Sequence, residues 1–161
     1  MKMHIAVAVA LVSTTLAGLA ATSGSITIQG TVANNISITV APQGAYNNLN
    51  IAGGEIDQLV AIATEKSNDK NGYTVTLTTA NAPTGTAAFL KGTGGNADTV
   101  PYTMTYGGVD VTLVAGNAVV TTASARTPSA GMPKNLKVTI PVVWVNADIY
   151  NDTITLTIAT L

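Results

Sequence analysis

Tyr73-Thr-Val-Thr-Leu-Thr-Thr79 alternates without a break, placing Tyr73, Val75 and Leu77 on one side of an extended chain and threonines on the other. Side chains of a β-strand point to opposite faces in turn, so such a run reads as a strand with one face toward a core. The same period recurs in Ile36-Ser-Ile-Thr-Val40 and in Tyr150-Asn-Asp-Thr-Ile-Thr-Leu-Thr-Ile158. Leu59-Val-Ala-Ile-Ala63 is apolar enough for a strand buried on both faces, although the window Ile56–Lys66 also admits a helix. Helical spacing is otherwise hard to find.

The connections carry turn chemistry. Ala41-Pro-Gln-Gly44 ends one strand, Asn47–Gly54 is a polar connection, and Ser67–Gly72 closes with Asn-Gly. Tyr102–Tyr106 and Val109–Leu113 flank Gly107-Gly108, the pattern of a tight hairpin. Phe89 and Leu90 mark a short apolar segment, and Ala118–Thr122 reads as a short strand. Arg126–Lys134, with two prolines and a glycine, reads as a loop. Leu136–Val145 reads as one long strand, with Pro141 requiring an edge or a bulge because it has no amide hydrogen. Short strands separated by Gly, Pro and Asn predict an all-β sandwich.

The first residues, MKMHIAVAVALVSTTLAGLA, have the anatomy of a secretory signal peptide: Lys2, an apolar run from Ile5 to Val12, and small residues at Gly18 and Ala20. Cleavage is expected after Ala20, with Ala21 as the other candidate. The alternative, a membrane anchor, suffers from a run shorter than the roughly 20 residues a span needs. Without Lys2 the chain keeps six basic and eight acidic side chains. They are scattered, which argues against nucleic acid as a partner. No cysteine is present, so an exported domain of this kind holds together by burial and ladder hydrogen bonds.

A search for chemistry gives little. His4 is the single histidine and lies in the leader, which removes histidine triads and histidine-ligated metals from the mature chain. The carboxylates Glu55, Asp57, Glu65, Asp69, Asp98, Asp110, Asp148 and Asp152 include no pair marked by its context. Asp69-Lys70-Asn71-Gly72 lacks the alternating ligands and closing glutamate of a calcium loop. Gly92-Thr-Gly-Gly95 lacks the Lys-Ser/Thr of a phosphate cradle. Trp144, Tyr73, Tyr102 and Tyr106 are expected as core aromatics, a sugar-stacking platform being the other reading. The expectation is a protein that is not an enzyme and uses neither cofactor nor metal.

One strand is left over. Ser25-Ile-Thr-Ile-Gln-Gly-Thr-Val32 puts Ile26, Ile28 and Val32 on one face, with Gly30 denting the row. This segment resembles the N-terminal extension of pilins assembled by the chaperone-usher pathway. Tyr150–Ile158 resembles the last strand shared by those pilins and the spore coat protein U family, and Asn71–Thr78 is similar in character to an early core strand.

The resemblance implies an immunoglobulin-like sandwich that lacks its final strand and is completed by a donor strand from a neighbour. It implies residues 1–20 as signal peptide, 21–33 as donor extension and 34–161 as the sandwich domain. Ile26, Ile28 and Val32 would enter the neighbour's pockets, and Gly30 would meet a shallow one. Ile154, Leu156 and Ile158 would form a wall of the acceptor groove and the strand contacted by the chaperone. The implied partners are further copies of the chain, a periplasmic chaperone and an outer-membrane usher, with a tip adhesin as a further one, and the implied destination is a fimbria on the cell surface. Lacking cysteine, the chain looks most like class 5 fimbriae, and it departs from the family in having no tyrosine beside its C-terminal residue. The alternative is that residues 25–32 pair within their own domain, giving a monomeric secreted sandwich that serves as a coat, matrix or carbohydrate-binding protein.

Overall fold

The computed structural model describes residues 23–44 and 46–161. The proposed signal peptide lies outside the described residues. Among the described residues there are ten strands and no helix, and every strand pairing is antiparallel. The protein is an all-β sandwich, as the alternation predicts.

One sheet runs in the order β1 (Ile36–Pro42), β2 (Glu55–Ser67), β8 (Met132–Ile140), β5 (Thr99–Tyr106), β4 (Ala88–Gly92) and β9 (Tyr150–Asn151), with β6 (Val109–Asp110) also on β5. The other runs β10 (Ile154–Thr160), β3 (Tyr73–Thr79) and β7 (Asn117–Ala123). Alternate residues of each strand meet in the middle. Val75 and Leu77 of β3, Val100, Tyr102 and Met104 of β5, and Leu136, Val138 and Ile140 of β8 are all buried. Threonines fill most of the opposite positions of β3, as a half-buried strand requires.

The turn between β5 and β6 depends on glycine. Gly107 and Gly108 both have positive φ, 60° and 85°, the conformation of a two-residue hairpin turn that L side chains disfavour. The second arm is shorter than Val109–Leu113, since only Val109 and Asp110 pair.

One alternative is decided and three expectations are corrected. The window Ile56–Lys66 is strand throughout, part of the 13-residue β2, and the helix alternative falls. Its mixed period arises from two register shifts against β8, at Glu55/Gln58 and at Leu59/Ala61, which turn Val60 and Ala61 both inward. Strand β8 stops at Ile140, before Pro141, because a residue without an amide hydrogen cannot continue the ladder. Beyond it Val143 and Val145 still pack against the core, while Val142 and Trp144 face out. The expected loop Arg126–Lys134 gives its last three residues to β8. Here Pro133 lies opposite Thr64 of β2, whereas pairing with β5 begins only at Leu136, so no β5 partner needs its missing donor.

The last long run, Tyr150–Ile158, is two strands in two sheets. β9 pairs with β4, and β10 pairs with β3. The crossing occurs at Asp152, whose Oδ1 accepts the backbone N–H of Asn81 at 3.0 Å and of Thr153 at 2.7 Å. Those bonds satisfy donors freed by leaving one ladder for the next.

Candidate functional site

Each sheet ends on one side in a strand with a single partner. β1 pairs only with β2, and β10 pairs only with β3. These two edges face each other across the open side of the sandwich. Part of their length lies within 8 Å between Cα atoms, yet no ladder joins them. An unpaired edge leaves a row of backbone donors and acceptors available to another strand.

Between the edges the packing leaves a gap over the core. A cavity of about 210 Å³ opens there, walled by Val40 and Pro42 of β1 and by Ile154 of β10. Its floor is core: Val60 and Ala61 of β2, Leu136, Val138 and Ile140 of β8, Leu90 of β4 and Tyr102 of β5. Tyr46 and Leu49, from the β1–β2 connection, line its mouth. Val40 stands at the inward phase of β1 but is 50% exposed, whereas Val75 and Leu77 at the centre of β3 are fully buried. The difference is a missing neighbour.

Ile154, Leu156 and Ile158 share the inward phase of β10, in register with Thr79, Leu77 and Val75 of β3. All three are only partly buried. Ile154 and Leu156 pack against the core cluster, and Ile154 also lines the cavity. Leu156 and Ile158 do not line the cavity, and Val40, which does, was not among the expected residues. Val40 sits in a strand the sequence reading recognised, but an alternating strand looks the same whether its inward row is covered or bare.

Residues 23–35 carry no strand. Ile26, Ile28 and Val32 are 86%, 89% and 88% exposed. No atom lies within 4 Å of the position a Cβ on Gly30 would take.

At the other end of the sandwich a buried polar cluster holds the sheets together. Glu65 of β2 is completely buried, and its carboxylate accepts three hydroxyl hydrogen bonds. Tyr73 of β3 donates at 2.9 Å, Tyr106 of β5 at 2.8 Å and Thr121 of β7 at 2.7 Å. Two donors come from the sheet opposite Glu65, so the carboxylate bridges the sandwich. Burial, and then the bond to Glu65, push the Tyr73 phenol up to about 12. Burial is also the main cause that raises Tyr106, with Glu65 adding to it, and that raises Tyr102, whose hydroxyl donates to Asp152 at 2.8 Å.

These contacts correct the reading of the aromatics. Tyr73, Tyr102 and Tyr106 are core residues, but Trp144 is 99% exposed, carried outward with Val142 on the segment after Pro141. The four do not form one platform. Among the described residues no group of three His, Asp or Glu side chains is arranged to hold a metal ion. No protein-family model matches the chain, and no curated protein matches it.

Proposed function

We propose that this chain is a structural subunit of a bacterial surface fimbria, exported through the periplasm, that polymerises head to tail by strand donation and so supports adhesion. The observation that carries the reading is the pair of edges β1 and β10, each with one partner, which flank a cavity and leave Val40 half exposed and Ile154 only partly buried. A strand with apolar residues on one face would satisfy both edges and cover Val40, Ile154, Leu156 and Ile158. Residues 25–32 of another copy have that pattern and carry no ladder of their own.

Three apolar residues moved from water into such a groove stabilise the contact by about 5 to 8 kcal/mol before entropic costs. Ladder hydrogen bonds add about 1 kcal/mol each. A contact of donor on one copy and groove on the next does not close on itself, so it propagates as a filament. A strand placed between two others needs edges roughly 10 Å apart, at about 4.8 Å per neighbour. Part of β1 and β10 is already closer than that, so insertion begins at the open Val40–Ile154 mouth and parts the edges as it advances. Until it does, Val40 and the partly buried row of β10 leave an apolar edge in water, which is the physical case for a chaperone during export.

The second reading, a monomeric secreted sandwich that binds carbohydrate, draws on the exposed Trp144. The two separate at Gly30. On the fimbrial reading Gly30→Leu blocks polymer formation and leaves the circular dichroism and unfolding midpoint of the domain unchanged. Filaments of normal length from that variant would remove the donor role assigned to the segment.

A further inference from the structure

We propose that the two ends of the sandwich are complementary charged faces, so that the basic end of one copy docks on the acidic rim of the next copy's groove. The inference rests on the strand donation proposed above and adds to it a second contact between copies.

Strand registers define the ends. Ile36 of β1 lies opposite Ser67, and Tyr73 opposite Thr160, at one end. Pro42 of β1, Ile140 of β8 and Ile154 of β10 lie toward the other, where the groove opens. At the first end Lys66 and Arg126 line one polar cleft of about 600 Å³, together with Asn35 and Asn68. Lys70 stands in the adjoining turn, and Lys134 lies opposite Ala63. The acidic groups there are Asp69, whose Oδ1 accepts the Asn71 N–H, Asp110 of β6, and Glu65, which is sealed inside.

The groove end has the opposite sign. Asp148 and Asp152 line a cleft of about 480 Å³ that shares Tyr46, Leu49 and Leu90 with the groove cavity. Asp98 holds the nearby Asn146 N–H at 2.9 Å, and Glu55 lies opposite Ile140. The cations toward this end are Lys91, opposite Asn151, and Lys137, opposite Leu59, the latter sharing a cleft with Asp57.

The chain connection brings these ends together. Asn68 fixes the root of the extension at the basic end, donating to the Ala33 carbonyl at 2.8 Å and accepting the Asn35 N–H at 2.7 Å. From Val32, the last apolar residue of the donor segment, to Ile36 the chain reaches at most about 14 Å. The donor's sandwich must therefore sit against whichever end of the acceptor Val32 arrives at.

Two insertions are possible. β1 and β10 run in opposite directions, since the end of one and the start of the other share the cavity. A strand antiparallel to β10 brings Val32 to Ile154 and sets Lys66 and Arg126 over Asp148 and Asp152. The reverse insertion sets the basic end against another basic end. At a screening length of about 8 Å in physiological salt, charges on faces held this close still interact. Complementary charge of this kind acts mainly on association rate and orientation.

The test follows ladder growth of the purified mature chain after refolding, read on unboiled denaturing gels. Lys66→Glu with Arg126→Glu slows growth about tenfold at about 0.05 M salt, and Asn47→Lys with Asn48→Lys, on the acidic rim, does the same. Combining all four substitutions restores the rate to within about twofold, which misfolding could not do, and the differences shrink at about 0.5 M salt. If both double variants grow at the normal rate, or the combination is slower than either, the charge inference is overturned while strand donation stands. If the unaltered chain forms no ladder, strand donation fails and the docking of ends falls with it.

Discussion

The two ends of the sandwich are made from the same kind of strand and finished differently. At one end Glu65 joins β2 to β3, β5 and β7 through three hydroxyl donors, and its side chain is completely buried. At the other, Val40 is half exposed and Ile154 only partly buried, and both line a cavity. Alternation decides which residues face inward; whether that row is covered depends on how many strands the chain supplies. A domain sealed and cross-bridged at one end can hold its fold while the other end stays open.

The sharpest way to break this comparison is to remove the bridge. Glu65→Ala leaves buried hydroxyls of Tyr73 and Tyr106 without their acceptor and opens a cavity, which costs about 3 to 5 kcal/mol. Urea unfolding of the mature chain measures it, and a loss below about 1 kcal/mol would show that the cluster does not hold the sheets together.

Truncations in the covered core and at the open edge sharpen the same contrast. Leu77→Ala, in the sealed core, costs about 2 to 5 kcal/mol. Val40→Ala, half exposed in the unfilled groove, costs under about 1 kcal/mol in the monomer. Equal losses would mean that Val40 is already covered.

A last effect is on pH. The folded chain holds Tyr73 protonated up to about 12, whereas the unfolded chain releases that proton near the ordinary value of 10.0. Between those values the folded state binds more protons, so stability falls as pH rises. The contribution is complete below about pH 10 and is lost through about pH 12. Denaturant midpoints should therefore drop across that window, and Tyr73→Phe should flatten part of the drop. An unchanged slope in that variant would place the titration elsewhere.

Much of the sandwich was legible because its signals are local. The row Tyr73, Val75, Leu77 is buried as its period implies, and Gly107-Gly108 makes the turn that two positive φ angles require. What was not legible depends on distant partners. Glu65 looks like any of eight acidic residues until Tyr73, Tyr106 and Thr121 converge on it. The register shifts in β2 blur its period enough to admit a helix, and only pairing with β8 resolves it. Of the inward row of β10, Ile154, Leu156 and Ile158, only Ile154 lines the cavity, and Val40 across from it was not singled out, because an edge strand and an interior strand share one alternation. Trp144 was misplaced because Pro141 ends the ladder and leaves its outward phase bare.

The central claim is that copies of this chain are joined by strands rather than by covalent bonds. Protein sheared from the surface of producing cells, run on a denaturing gel with and without boiling, tests it most directly. The account predicts a regular ladder without boiling that collapses to one band near the mature subunit mass on boiling, a result that disulfides cannot produce in a chain without cysteine. A single band in both lanes would contradict it.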